Sequence, residues 1–313
     1  MAEPLRRRVR ARLLRGLSGA ASGAPAPLVR AALGGAAGLA RFSRYEELAL
    51  ANLEIALGDR TSLDERRRIA RGARHHAARL VYEWLRMARA SAGERELREV
   101  AGWIDRTVEL DGSVELLDEA AREGRGLIAA TAHIGNWELL AAALRRRGLD
   151  GAVVGLRKRN DSSADWLVAM RRACGVRTLA QDAPAREVLE VLRSGATVGL
   201  LADLEARRIA GAFVPFFGIP ALTLTAPAAL ARAARLPIVP VRCIARGRGY
   251  RLSVETPIEL DASLGRREAT LEATARLNAV FERWIRETPE QWAWHQPRWR
   301  SRPPVEAPAV RSS

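Results

Sequence analysis

From residue 126 onward the chain alternates short apolar runs with stretches of helical spacing, and this alternation limits the folds open to it. Candidate strands occupy 126–132, 152–156, 197–202, 238–245 and 250–256, and helical stretches lie near 137–147, 162–173, 185–193, 224–235 and 267–287. Such a βαβ rhythm predicts an α/β fold with a mixed, mainly parallel central sheet flanked by helices. Gly247 and Gly249 fit a tight connection between the last two strands, which makes that pair antiparallel. Upstream, residues 44–58, 63–90 and 113–123 read as helices, with Thr61 or Ser62 capping the second and Asp64 and Glu65 in its first turn. At 313 residues the chain has room for one large α/β domain over 44–303, preceded by a helical N-terminal extension over 1–43 and followed by a frayed Pro/Ala/Ser-rich tail over 304–313.

The charge balance narrows the partners. Lys and Arg number 51 against 36 Asp and Glu, for a net charge of +15. Such a surface attracts nucleic acid, anionic lipid or an acidic carrier protein, and composition does not choose among them. The chain lacks a zinc pattern, a recognisable helix-turn-helix and an RRM aromatic signature, which argues against nucleic acid. It also lacks the G-x-S-x-G elbow of a serine hydrolase. Cys174 and Cys243 are too few for a disulfide framework, and His75, His76, His133 and His295 show no metal-ligand spacing. Near the N-terminus Leu5, Val9, Leu13 and Leu17 recur every four residues among six arginines, the pattern of a basic amphipathic helix for an anionic membrane surface or, alternatively, of a basic tail. Residues 24–40 are rich in Ala and Leu but contain Arg30 and several glycines, short of the roughly 20 apolar residues needed to span a bilayer.

The chemistry concentrates in Thr131-Ala132-His133-Ile134-Gly135-Asn136-Trp137-Glu138-Leu139-Leu140. The run 126–130 reads as a buried strand, Asn136 as an N-cap, and Trp137 to Arg147 as a helix with Arg145, Arg146 and Arg147 in its last turn. His133 then falls on the loop at the carboxyl end of a strand, where open α/β sheets hold ligands, and Glu138 in the first helical turn. On one continuous helix two residues five apart diverge by about 140°; the turn allows them to converge. A neutral imidazole that takes a proton from a hydroxyl, with a carboxylate fixing its tautomer, is one reading. The other is a loop histidine satisfying a carbonyl and a glutamate favouring a helix N-terminus.

The spacing His133-x4-Glu138 is followed by Asp203-Leu204-Glu205, Val214-Pro215-Phe216-Phe217-Gly218-Ile219-Pro220, Thr223, Ala226-Pro227, Leu236-Pro237-Ile238-Val239-Pro240, and Pro289-Glu290-Gln291-Trp292-Ala293-Trp294 with Arg298-Trp299-Arg300. In this order the set resembles the bacterial lipid A biosynthesis acyltransferases, a family that includes the phosphatidylinositol mannoside acyltransferases, from about Arg44 to Pro303. The resemblance implies an enzyme at the cytoplasmic face of the bacterial inner membrane, peripheral or weakly anchored. It implies transfer of a fatty acyl group from an acyl carrier protein or coenzyme A thioester to a hydroxyl of a glycolipid. A lipid A precursor is the first acceptor expected, a phosphatidylinositol mannoside the alternative. His133 would be the base and Glu138 its partner, with no cofactor and no metal.

Other residues join the site as expectations. Arg157, after the strand ending near Leu156, suits bidentate phosphate binding or else a solvated loop. Asp203 and Glu205 follow the next strand and would support His133 or hold a sugar hydroxyl, turn chemistry being the alternative. Asn136 is a substrate-side candidate beside its capping role. Phe216 and Phe217 could wall an acyl chain or form core. Trp292, Trp294 and Trp299, interleaved with Arg298, Arg300 and Arg302, suit a lipid interface or a packing lid.

Overall fold

The computed structural model describes residues 25–155, 162–205 and 210–303. Among the described residues three helices come first: α1 (Ala26–Leu39), α2 (Arg44–Leu57) and α3 (Leu63–Ala88). Ser62 rather than Thr61 caps α3. Its hydroxyl accepts from Glu65 N at 3.2 Å while the Glu65 carboxylate accepts from Ser62 N at 2.7 Å, a reciprocal capping box. Then follow α4 (Glu94–Thr107), β1 (Val108–Leu110), α5 (Glu115–Arg122), β2 (Leu127–Thr131), α6 (Trp137–Arg146), β3 (Gly151–Gly155), α7 (Ser162–Ala173), β4 (Arg177–Ala180), α8 (Ala185–Arg193) and β5 (Thr197–Leu201). A hairpin of β6 (Gly211–Phe216) and β7 (Ile219–Leu224) precedes α9 (Ala226–Ala234), β8 (Ile238–Arg246), β9 (Gly249–Val254) and α10 (Arg266–Glu287).

The main sheet has seven strands in the order β1-β9-β8-β2-β5-β3-β4, and β8 against β9 is its antiparallel pair. The expected mixed, mainly parallel α/β sheet is therefore present. Side chains of β2 alternate between its two faces. Ile128 and Ala130 join the apolar layer that contains Leu53, Leu192, Phe281 and Trp284, whereas Leu127 and Ala129 join the layer of Val100, Leu117 and Leu139. Strand β2 is buried at every position, so the loop leaving it is anchored at the centre of the fold.

Four strands and one helix were not anticipated. β1 and β4 are short edge strands, and β4 opens on the exposed Arg177. In the hairpin, Pro215 lies opposite Pro220 and Gly218 takes a positive φ of 74°, so the sequence reads as loop although the backbone pairs. Helix α4 buries Val100, Trp103 and Ile104, a helical spacing that charged neighbours obscure.

Among the described residues no helix is long and apolar enough to cross a membrane. Helix α1 has 14 residues, about 21 Å at 1.5 Å per residue, against a hydrocarbon core of about 30 Å. It packs on α3 and leaves Leu28 and Leu39, with Phe42 in the following turn, 65 %, 71 % and 76 % exposed. The basic segment around Leu5 to Leu17 lies outside the described residues.

Candidate active site

Parallel register brings the central pair together. Thr131 at the end of β2 sits beside Leu201 at the end of β5, and two residues beyond each lie His133 and Asp203. His133 Nδ1 is 2.8 Å from Asp203 Oδ1, and His133 N donates to Asp203 Oδ2 at 2.8 Å. Trp292 Nε1 donates to the same Oδ2 at 2.7 Å. Asp203 is fully buried. Burial alone would raise its carboxyl, but the His133 charge and the hydrogen bonds from His133 and Trp292 hold it below the ordinary carboxylate range. An ionised carboxylate only accepts, so Nδ1 carries a proton, and in the neutral form of the ring the lone pair is on Nε2.

The loop after His133 is fixed from several directions. Gly135 has φ 59°, and a Cβ there would meet Cys243 O at 2.0 Å, so no other residue fits. Its N–H donates to Gln291 O at 3.1 Å, and its carbonyl accepts from His76 Nε2 at 3.0 Å. His133 O accepts from Ala293 N at 3.1 Å. Asn136 caps α6 as expected: its Oδ1 accepts from Leu139 N at 3.0 Å. The same oxygen accepts from Trp84 Nε1 at 3.2 Å, and Nδ2 donates to Glu83 Oε2 at 2.7 Å. Asn136 is fully buried, so it holds the loop and does not face a substrate, contrary to the expectation that it binds one.

Glu138 is not the partner of His133. It is 2 % exposed and takes a bidentate ion pair from Arg171 of α7, with Nε 2.7 Å from Oε2 and Nη2 2.6 Å from Oε1. The helix that starts at Trp137 carries Glu138 toward α7, while Asp203 already occupies the imidazole. The ring of Trp137 instead meets His133 edge-on, 5.0 Å between centroids.

A cavity of 780 Å³ opens beside His133. Its walls come from Leu167 of α7, Val188 and Leu189 of α8, and Ala226, Ala229 and Ala233 of α9, with Glu138 and Arg171 also on its lining. Glu205 lines the cavity too. Its Oε1 accepts from Ser301 N at 3.1 Å, and its buried Oε2 has no partner among the described residues. Asp203 is buried with both oxygens engaged by His133 and Trp292. Phe216 and Phe217 do not line the cavity: Phe216 is fully buried against Trp292 and Trp299, and Phe217 packs under Arg286. They form core. The tryptophans behave likewise, with Trp292, Trp294 and Trp299 at 1 %, 0 % and 4 % exposure, a packing lid rather than a lipid interface. Arg157 lies outside the described residues.

Three roles were not anticipated. Trp292 as donor to Asp203 and Arg171 as partner of Glu138 carry no local signal, because each meets its partner across the fold. Arg298 is a fully buried cation that donates to Leu222 O at 3.1 Å and Thr223 Oγ1 at 2.7 Å, with its guanidinium 4.4 Å from the Phe216 ring centroid. Burial depresses it to about 10, although Asp203 and Glu205 pull the other way.

The family described as bacterial lipid A biosynthesis acyltransferase has a model that matches residues 19–301. The phosphatidylinositol mannoside acyltransferase of Mycobacterium tuberculosis (strain H37Rv) is 31 % identical over 206 residues, covering 64 % of this chain and 62 % of that protein. The lipid A biosynthesis lauroyltransferase of Escherichia coli K12 is 29 % identical over 211 residues, 66 % of this chain and 65 % of that protein. The palmitoleoyltransferase of the same organism is 25 % identical over 277 residues, 84 % and 81 % of the two chains. The match to the mycobacterial and lauroyl relatives thus spans less than two thirds of their length.

Proposed function

This chain belongs to the bacterial lipid A biosynthesis acyltransferase family, and from that premise we propose that it transfers a fatty acyl group from a thioester to a hydroxyl of a glycolipid. The observation that carries the reading is a histidine with Nδ1 committed to a buried carboxylate, lining a largely apolar cavity of 780 Å³. An apolar cavity suits an acyl chain; a base at its edge suits deprotonation of an incoming alcohol.

In the proposed reaction the acceptor O–H gives its proton to His133 Nε2 as its oxygen bonds to the thioester carbonyl carbon. The tetrahedral intermediate collapses, the C–S bond breaks, and the imidazolium returns its proton to the departing sulfur. Asp203, held by Trp292, stabilises the transient imidazolium and fixes its tautomer. Glu205, a carboxylate residue on the cavity lining, is assigned to an acceptor hydroxyl. The glutamate of the His133-x4-Glu138 motif is assigned a structural part, pinning α7 to α6 beneath the cavity.

The donor is an acyl carrier protein or coenzyme A thioester, and no cofactor is assigned. The net charge of +15 supports approach of an acidic carrier or of anionic lipid. The exposed Leu28, Leu39 and Phe42 support contact of the N-terminal helices with the membrane surface, on its cytoplasmic face where such thioesters are found. A lipid A precursor is the first acceptor to test; the mycobacterial similarity supports a phosphatidylinositol mannoside as the second. Purified full-length protein, given an acyl thioester and each glycolipid in turn, should release thiol in step with an acylated product seen by mass spectrometry. Thiol release without acylated lipid would mean thioester hydrolysis and would overturn the assignment.

A further inference from the structure

A second cavity, of 630 Å³, lies between α1, α3 and the turn that joins β8 to β9. Arg30, His75, Arg79, Tyr82, Trp103 and Arg248 are on its lining, and none of them lines the cavity at His133. Its size falls in the range of about 300–1,000 Å³ typical of small-ligand sites.

The cations here have different assignments. Arg79 is spent on structure. Its Nε donates to Glu83 at 2.8 Å, and its terminal nitrogens donate to the carbonyls of Gly247, Arg248 and Gly249 at 3.1, 3.2 and 3.3 Å. It thereby fixes the turn that carries Arg248. Arg30 instead lies over the face of Tyr82 at 4.6 Å, and Arg86, beside the cavity, over Trp103 at 4.6 Å. Stacking on a ring leaves the edge of a guanidinium, where its donors are, open to a ligand. The neighbouring acids are already committed: Glu83 to Arg79, Asn136 and Tyr250, and Glu99 to Arg89 and Arg95. Among the described residues no carboxylate pairs with Arg30, Arg86 or Arg248. Burial and repulsion from Arg30, Arg89 and Arg106 depress the Arg86 guanidinium despite the help of Tyr82, so the cluster is crowded with like charge.

A concave site lined by Arg30, stacked on Tyr82, and by Arg248, neither paired with a carboxylate among the described residues, has the chemistry of an anion site, and Leu33 and Gly34 of α1 add an apolar edge. We propose that this cavity is a second, non-catalytic site that binds a phosphate ester through Arg30 and Arg248, with an anionic phospholipid headgroup as its occupant. The headgroup would dock under α1, the helix whose outer face exposes Leu28 and Leu39, so that acyl tails and apolar side chains meet the same bilayer. The site stands apart from acyl transfer and does not depend on that reading.

Full-length protein is titrated with short-chain dihexanoyl phosphatidylglycerol below its micelle concentration, in about 0.15 M salt to screen diffuse attraction, with glycerol phosphate and inorganic phosphate in parallel. Saturable lipid binding is expected, weakened about tenfold or more in Arg30→Ala/Arg248→Ala, the scale of lost charge-assisted contacts. Arg193→Ala/Arg267→Ala, which removes two charges elsewhere, should bind as the parent does. Arg30→Lys should restore only part of the affinity, because it lacks the guanidinium fork. Equal affinity in the two double variants, or binding that never saturates, overturns the site. Phosphate or glycerol phosphate binding as tightly as the lipid overturns the lipid occupant and leaves a free-phosphate site.

Discussion

Around His133 each polar contact comes from far along the chain: Asp203 is 70 residues away and Trp292 a further 89. The cavity beside it is made the opposite way, by contiguous helix faces such as Ala226, Ala229 and Ala233 of α9, spaced i, i+3 and i+7. The polar floor is a chain of single hydrogen bonds in which a lost member strands its partner. The apolar wall is a sum of small contacts that tolerates exchange. Chemistry is therefore expected to fail abruptly on mutation, and chain selectivity to drift.

The sharpest test of this contrast is His133→Ala, expected to reduce acyl transfer by about 10²–10⁴-fold, the range for a general base. Circular dichroism should show the fold retained, and steady-state turnover within a few-fold of the parent would remove the floor from the chemistry. Asp203→Asn should cost about 10³-fold in turnover by disturbing the tautomer and leaving the imidazolium without its counter-charge. Glu138→Gln in parallel separates the two carboxylates, since it leaves the His133–Asp203 contact in place and should keep far more activity. If Glu138→Gln were the more damaging of the two, the motif glutamate would act on the chemistry after all.

The Glu138–Arg171 pair should reveal itself in stability. Arg171→Met leaves a buried carboxylate without its cation and should cost about 3–5 kcal/mol in urea unfolding. The double variant Glu138→Gln/Arg171→Met should recover much of it. Equal losses in the single and double variants would mean that the pair contributes by packing alone.

A smaller effect follows from His76 and His295, both depressed, chiefly by burial. The unfolded chain takes up protons as pH falls below about 6.5 while the folded chain does not, so stability is present above that pH and is lost as pH falls. Each site contributes at most about 1.4 kcal/mol per pH unit. His76→Gln, which keeps an N–H for Gly135 O, should flatten the urea midpoint between pH 7.5 and 5.5; an unchanged slope would exclude His76. Asp203 acts further down the scale. Its depressed carboxyl contributes stability above the ordinary carboxylate range, which is lost as pH falls through its folded value.

The smallest effect is expected at the wall. Ala229→Leu should move preference toward shorter acyl donors by about 0.8 kcal/mol per methylene excluded, roughly fourfold. Competition between donors of different length, read by product mass, measures it directly. A loss of turnover with no change in preference would place Ala229 outside the acyl path.

Where sequence and structure agree, the signal is local. The five candidate strands are β2, β3, β5, β8 and β9: β2 is apolar throughout because it is buried on both faces, whereas β9 alternates because only one of its faces is buried. Asn136 could be recognised as a cap because capping is decided within three residues. The pairing of His133 with Asp203 was open among several carboxylates, because it depends on which strand lies beside β2. Once Thr131 is set beside Leu201, the two loops meet. Glu138 misled for the converse reason: nearness in sequence imitated nearness in space, and helix α6 turned it toward Arg171. Phe216 and Trp292 looked suited to a lipid, yet only the fold distinguishes an aromatic that faces a substrate from one sealed beneath it.

The segment from Pro289 to Trp299 has a further consequence, one of timing. Gln291 and Ala293 bond the loop around His133, Ile134 pairs with Trp292, and Trp292 supplies the third donor to Asp203. These contacts join the first part of the candidate site to residues 289–299, and contacts of such separation form late. A ribosome that has passed β5 has already delivered His133 and Asp203, but not the tryptophan that completes their setting. A chain stopped before residue 289 is therefore expected to be an unfinished enzyme, with a carboxylate lacking a partner and a catalytic loop lacking its brace.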